Sequence, residues 1–251
     1  MSGRLVVLGL GPGAEGMRTP DATETLADAT DLVGYIAYLD RVPARVGQRR
    51  HASNNRVELD RARAALGLAE QGRRVAVVSG GDPGVFAMAS AVFEAIEAGP
   101  ASWRALDVTV LPGITAMLAA AARLGAPLGH DFCAISLSDN LKPWPVVLRR
   151  LAAAASAGFV IALYNPRSRA RPDQLGAALA ALRDILPPTT PVAFATAIGR
   201  PDERVDIATL ADADPEMADM RTLVLIGSPE TRLIERPGAR PWLYTPRGMA
   251  A

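Results

Sequence analysis

Short apolar runs ending in glycine alternate along this chain with longer stretches whose apolar residues recur at helical spacing. Arg4 to Leu8 is the first such run, closed by Gly9-Leu10-Gly11-Pro12-Gly13, and reads as a buried strand entering a tight loop. Thr19-Pro20 supplies an N-cap and a proline at the first helical position, which predicts a helix to about Ala29. Leu32 to Tyr35 is a second strand, followed by a connection rich in proline and arginine. Asn54 or Asn55 could cap a helix from Val57 to Gln71, which Gly72 stops. Val75 to Val78 is a central strand, Ser79 to Val85 its glycine turn, and Phe86 to Ala98 the following helix. A strand at Val108 to Leu111 and a helix at Ile114 to Leu124 complete the alternation expected of a mainly parallel sheet.

Gly125-Ala126-Pro127-Leu128-Gly129 breaks this rhythm, so a boundary is expected there, with one α/β lobe over residues 1–125 and another over 126–251. The second half predicts strands at Phe132 to Leu137, Phe159 to Tyr164 and Pro191 to Ala197, with helices at Pro145 to Ala157 and Asp173 to Leu186. Arg204 to Ile207 and Thr222 to Ile226 read as neighbouring strands with a short acidic helical piece between them. The tail from Ser228 is rich in Pro, Gly and Arg and is expected to be partly disordered. Two α/β lobes with a cleft between them follow as the expected architecture.

Bulk composition narrows the function by exclusion. The 251 residues carry a net charge of +1, which gives no reason to expect nucleic acid or an anionic membrane as partner. No apolar run reaches the ~18 residues of a membrane span, and the apolar start is too short for a signal peptide. A cytoplasmic protein is the expectation. The single cysteine, Cys133, excludes an internal disulfide, and in its apolar strand it reads as a buried, inert thiol. His51 and His130 stand too far apart in sequence to suggest a metal site, so none is expected. Lys142 is the only lysine among 27 basic residues, and no Walker loop precedes it.

The glycine turn at residues 79–85 carries most of the chemistry. Glycines let a ligand lie against bare main chain, and Asp82 can accept hydrogen bonds from it. No Lys or Arg lies between Arg74 and Arg104, so the turn is not built for a cluster of phosphates. The first loop, Gly9-x-Gly11-x-x-Ala14, fits a loose dinucleotide fingerprint, but its helix starts too late to face a pyrophosphate. Arg41, Arg45, Arg49, Arg50 and Arg56 form a basic stretch that is either a solvated surface or a site for a polycarboxylated ligand. Arg167, Arg169 and Arg171 form a second cluster.

Gly9-Leu10-Gly11-Pro12-Gly13, Gly80-Gly81-Asp82-Pro83 and Pro112-Gly113-Ile114-Thr115-Ala116, in that order, resemble the tetrapyrrole methylases. Cys133 to Asp139, Pro143-Trp144 and Ile161 to Ser168 narrow the resemblance to members that methylate precorrin-3B at ring carbon 17 with contraction of the macrocycle. It spans about Arg4 to Gly227. The resemblance implies a homodimeric, two-lobed enzyme of cobalamin biosynthesis that uses S-adenosylmethionine. It places the cofactor on Gly80, Gly81, Asp82, Val85, Phe86, Thr115 and Ala116, with Asn165, Arg221 and Thr222 from the second half. Pro12, Gly13, Tyr35 and Tyr38 would face the ring. The contraction requires proton movement, for which Asp139 and His130 are candidates by type and position. Another corrin or uroporphyrin-type substrate stays open, as does a non-catalytic tetrapyrrole- or nucleotide-binding protein.

Overall fold

A computed structural model describes residues 3–54 and 57–248. It divides the chain into two compact units, Met1–Ala116 and Met117–Ala251. The helix before Gly125 therefore falls in the second unit, although the break in rhythm at Gly125 suggested a later division.

In the first unit β1 (Arg4–Gly9), β2 (Asp31–Tyr35), β3 (Arg49–Ser53), β4 (Arg74–Ser79) and β5 (Asp107–Leu111) form one sheet, ordered β3-β2-β4-β1-β5. Every pair in it is parallel. The alternation of each strand feeds two separate cores. Leu5, Val7, Val75 and Val77 pack with α3 (Glu58–Glu70) and α4 (Met88–Ala98). Val6, Leu8, Ala76 and Val78 pack with α1 (Pro20–Asp28) and the single turn α2 (Ile36–Leu39). Because both faces are covered, the central strands read as unbroken apolar runs.

Thr19 caps α1 as expected, its hydroxyl accepting from the Ala22 N–H at 3.3 Å. The cap of α3 is Val57, without a side-chain bond, so Asn54 does not fill that place. Asn54 instead accepts from Arg61 through its carbonyl at 2.7 Å, while Asn55 and Arg56 lie outside the described residues. β3 escaped the sequence reading because it is an edge strand of polar residues, Arg-Arg-His-Ala-Ser, with no apolar face to betray it.

In the second unit α5 (Ala116–Leu124) leads to β6 (Gly125–Ala126), then β7 (Phe132–Ser136), α6 (Trp144–Ser156), β8 (Val160–Tyr164) and α7 (Gln174–Arg183). β9 (Pro191–Thr196), β10 (Arg204–Thr209) and β11 (Thr222–Ile226) complete a mixed sheet ordered β10-β9-β11-β8-β7. The sequence suggested β10 and β11 as neighbours, but β9 lies between them and pairs antiparallel with β10 on one edge and β11 on the other. Helices α6 and α7 cover one face of this sheet, around the fully buried Phe194.

Against expectation, the tail is structured as far as its described residues run, to Gly248. β12 (Arg232–Arg236) and β13 (Ala239–Tyr244) form a hairpin, and β13 pairs with β6. Buried hydroxyls pin it: Thr245 Oγ1 donates to the Pro127 carbonyl at 2.7 Å and lies 2.9 Å from Thr231 Oγ1. Its arginines serve packing too, with the Arg236 guanidinium 4.4 Å from the Trp242 ring centre. Among the described residues no helix is long and apolar enough to cross a membrane.

Candidate functional site

The first unit builds its site from main chain. β1 and β4 are adjacent, but their connections leave on opposite faces, since α1 and α4 belong to different cores. Such a switch point opens a crevice at the carboxyl ends of the strands. The loops leaving β1 and β4 are tied across it by a two-way bond: Gly11 N to Gly81 O at 3.2 Å and Gly81 N to Gly11 O at 3.0 Å. The loop after β5 joins them. A Cβ on Gly9 would stand 2.2 Å from the Gly81 carbonyl oxygen, and one on Gly113 would stand 2.3 Å from the same atom. Three loops can meet this closely only because glycine occupies each contact.

Side chains hold the junction from outside. Asp82, expected from the sequence to accept hydrogen bonds from a ligand, accepts main-chain bonds with each oxygen. Its Oδ1 accepts from Gly84 N–H at 2.7 Å and its Oδ2 from Gly113 N–H at 2.9 Å, clamping the β4 loop to the β5 loop. Arg41 Nη2 donates to the carbonyls of Gly11 (3.0 Å) and Gly13 (3.3 Å). Arg50 likewise donates to Leu39 and Val42 carbonyls. These two of the five arginines in the basic stretch are therefore committed to main-chain carbonyls rather than held out for carboxylates.

The remaining candidates of this unit gather at the same end. Tyr38 lies on the Gly80 backbone, where an added Cβ would meet its ring at 2.8 Å, and it meets Tyr35 edge-on with ring centres 5.4 Å apart. Pro12 and Gly13 lie in the β1 loop, half-buried. Gly81 is left-handed (φ +63°), and Cα of Thr115 is the nearest atom to where its Cβ would be, at 3.7 Å. Thr115 is buried and Ala116 begins α5. Val85 and Phe86 follow the turn, and Phe86 is half-exposed in the left-handed region at φ +52°. That conformation costs a non-glycine residue on the order of 1 kcal/mol or more. The helix accordingly starts at Met88, later than expected. A depression lined by Arg4, Asp21, Glu24 and Arg74 lies at the opposite end of these strands and contains none of the candidates.

The second unit gathers its candidates differently. β7, β8 and β9 run the same way, and β11 runs against them. Asn165, directly after β8, and Thr222, the first residue of β11, thus stand at one end of the sheet, and Asp139 follows β7 at that end. Asn165 is also left-handed (φ +52°) and donates Nδ2 to Ser136 Oγ at 3.0 Å. Thr222 Oγ1 is buried 2.8 Å from Thr196 Oγ1. Arg221 is not an open cation: it pairs with Asp219 at 3.1 Å and with Asp202. Hydrogen bonds to Asp202 and then Asp219 hold its guanidinium above the usual value. Burial works to raise the Asp219 carboxyl, but bonds from Arg221 and Thr222 outweigh it and hold it low.

The two acid–base candidates are separated. His130 precedes β7, within 3.8 Å of Asp131, whereas Asp139 follows the strand and accepts from Gln174 at 3.1 Å. Five strand residues at about 3.3 Å each put roughly 16 Å between those ends. His130 is therefore on the far side of the sheet from Asn165 and does not join its group. Among the described residues no group of acids, histidines and cysteine has the arrangement of a metal site. The Cys133 thiol is half-buried, and burial pushes its pKa up, as befits an inert thiol.

Other residues escaped the sequence reading. The Tyr164 hydroxyl accepts from Met117 N–H at 3.0 Å, fixing the start of α5. Ala197 is the third left-handed non-glycine among the described residues, its N–H donating to the Arg221 carbonyl at 3.0 Å. No local pattern marks either one.

Known proteins resemble this chain in sequence and fold. The sequence profile of the tetrapyrrole (corrin/porphyrin) methylases matches residues 4–214. A precorrin-3B C(17)-methyltransferase of Sinorhizobium sp is 60% identical over 98% of this chain and 97% of its own length. A probable cobalt-factor III C(17)-methyltransferase of Salmonella typhimurium is 42% identical over 97% of this chain and 98% of its own. The crystal structure of the methyltransferase CobJ superimposes with a TM-score of 0.93 at 56% identity, covering 98% of this chain and 100% of that one. The family profile over residues 4–214 and the near-full-length identity to a curated member place the chain among the tetrapyrrole methylases.

Proposed function

We propose that this protein transfers a methyl group from S-adenosylmethionine to ring carbon 17 of precorrin-3B, with contraction of the macrocycle to give precorrin-4. The observation that carries the reading is the 60% identity over 98% of the chain to an enzyme named for that reaction. The junction of Gly9, Gly81 and Gly113 suits the cofactor, because it brings three loops together as bare main chain against which a ligand can lie without a side chain between them.

Bound there, S-adenosylmethionine supplies an already activated methyl on a sulfonium sulfur. The protein's part is placement and exclusion of water, since no strong nucleophile is required of it. Gly80, Gly81, Val85, Phe86, Thr115 and Ala116 hold the cofactor through backbone and small contacts. Asp82 keeps their loops in register. Asn165 and Thr222 add polar contacts to the bound ligands. Tyr35, Tyr38, Pro12 and Gly13 present a flat surface suited to a ring. Asp139 is the group we assign to the proton transfers of ring contraction, because it stands at the end of the sheet that carries Asn165. The protein acts in the cytoplasm as a homodimer.

Anaerobic incubation with fresh precorrin-3B and S-adenosylmethionine should yield S-adenosylhomocysteine and a product that has gained a methyl and lost a proton, heavier by the mass of one CH2. Methyl transfer to a uroporphyrin-type ring but not to precorrin-3B would move the reading to another substrate. Ligand binding without transfer would make the protein a carrier. The 42% identity to the cobalt-factor enzyme supports one rival, a cobalt-bearing ring. Competition between metal-free and cobalt-loaded substrate decides it, and the higher identity to the precorrin enzyme favours the metal-free ring.

A further inference from the structure

Three segments carry the candidates grouped at one end of the second unit's sheet: the loop after β7 with Asp139, the turn after β8 with Asn165, and the entry to β11 with Arg221. Arg171 reaches all three. Its side chain is buried, with the residue only 7% exposed. Nη1 donates to the Leu137 carbonyl at 3.4 Å and to the Asn165 carbonyl at 3.2 Å, and Nη2 lies 4.0 Å from Met220 Sδ. The segment bearing it is closed by a two-way backbone bond between Ser168 and Arg171, 3.0 Å in each direction.

Burying a cation is costly, and only good hydrogen bonds offset it. The planar guanidinium suits this place because it offers donors in several directions at once. At φ +52° Asn165 holds a left-handed turn that asparagine enters more readily than most residues, and Ser136 then fixes its side chain while Arg171 fixes its carbonyl. Arg167 and Arg169, from the same cluster, are not enclosed in this way: Arg169 is exposed and Arg167 pairs with Glu216.

We propose that Arg171 is a positioning residue of the methyl-transfer site, which sets the Asn165 turn against the β7 loop and the β11 entry without touching cofactor or substrate. This rests on the reading of Asn165 as a ligand contact. Arg171→Met should weaken S-adenosylhomocysteine binding, measured by titration calorimetry, by about tenfold or more, as expected for loss of bonds to a charged donor. It should also raise KM for S-adenosylmethionine more than it lowers kcat. Arg171→Lys, which keeps the charge but reaches fewer carbonyls, should recover part of the loss and carries the test if the methionine variant does not fold. Combining either variant with Asn165→Ala should cost little beyond Asn165→Ala alone.

A merely structural arginine would lower the melting temperature while leaving affinity within twofold, and that result overturns the proposal. Full additivity with Asn165→Ala, or an Asn165→Ala variant that binds normally, overturns it too. Wild-type protein that fails to bind S-adenosylhomocysteine would instead remove the methyltransferase reading, and this inference with it.

Discussion

The two units finish their sheets in opposite ways. In the first, the ends of β1, β4 and β5 meet as naked backbone, and side chains such as Asp82 and Arg41 clamp the loops from outside. In the second, side chains join the ends of β7 and β8 through Asn165, Ser136 and Arg171, and those of β9 and β11 through Thr196 and Thr222. A backbone junction is intolerant of added atoms. A side-chain network is intolerant of lost ones. The first unit should therefore fail on the smallest enlargement, and the second on truncation of polar groups.

The largest expected effect is Gly113→Ala. Its Cβ would meet the Gly81 carbonyl at 2.3 Å and Cα of Gly9 at 3.0 Å, both main-chain atoms that cannot rotate away. Overpacking of this kind costs about 3 kcal/mol, or roughly 6–12 °C in melting temperature for a chain of this size. Calorimetry should show that fall together with loss of S-adenosylhomocysteine binding. An alanine variant with unchanged melting and affinity would show that the three loops do not meet as described.

Asp82→Ala comes next. It strips the acceptor from the Gly84 and Gly113 N–H groups, worth about 1–3 kcal/mol if water does not replace it. Asp82→Asn keeps the shape but turns a donor toward one of those N–H groups, so it should rescue little. An Asn variant with full stability and affinity would reassign Asp82 from clamp to bystander.

How much of this was readable beforehand follows from the same contrast. Gly9, Gly81 and Gly113 announce themselves because only one residue type fits, and each closes an apolar run that predicts its strand. The clamps were visible as residues but not as clamps. Asp82 and Gly113 are far apart in the chain, and whether a carboxylate faces a ligand or a backbone N–H is decided by that distant partner. Arg171 sat in an arginine cluster that composition could only call basic. β3 was hidden by its edge position, and the hairpin of β12 and β13 by a composition of Pro, Gly and Arg that usually accompanies disorder. There Thr231 and Thr245, an unremarkable pair in sequence, provide the order.

Asn165 sharpens the contrast at smaller amplitude. Glycine adopts φ +52° freely, so Asn165→Gly should stay within about 1 kcal/mol of wild type in urea unfolding. It should still lose cofactor affinity, because the amide that reaches Ser136 is gone. Asn165→Val, β-branched and confined to other backbone angles, should lose stability as well as affinity. Equal stability of the two variants would mean that the turn does not need its left-handed residue.

The smallest effect belongs to Arg221→Gln. The guanidinium is about half exposed (side chain 47%), so its pairs with Asp202 and Asp219 are screened and worth at most about 1 kcal/mol. Asp219 also keeps bonds from the Arg221 backbone N–H at 2.7 Å and from Thr222 Oγ1 at 3.1 Å, neither of which the substitution removes. The folded Asp219 carboxyl lies below its usual value of 3.8. Its stabilisation is therefore complete above that value and is lost as pH falls through the lower, folded one. Arg221→Gln should leave urea midpoints near neutral pH almost unchanged and should alter the curve only on its acid limb, below about pH 4. A large loss at neutral pH would mean that the side-chain pair, rather than the backbone turn around Asp219, holds the entry to β11. The second unit would then depend on surface charge where the hydrogen bonds point to buried hydroxyls and main chain.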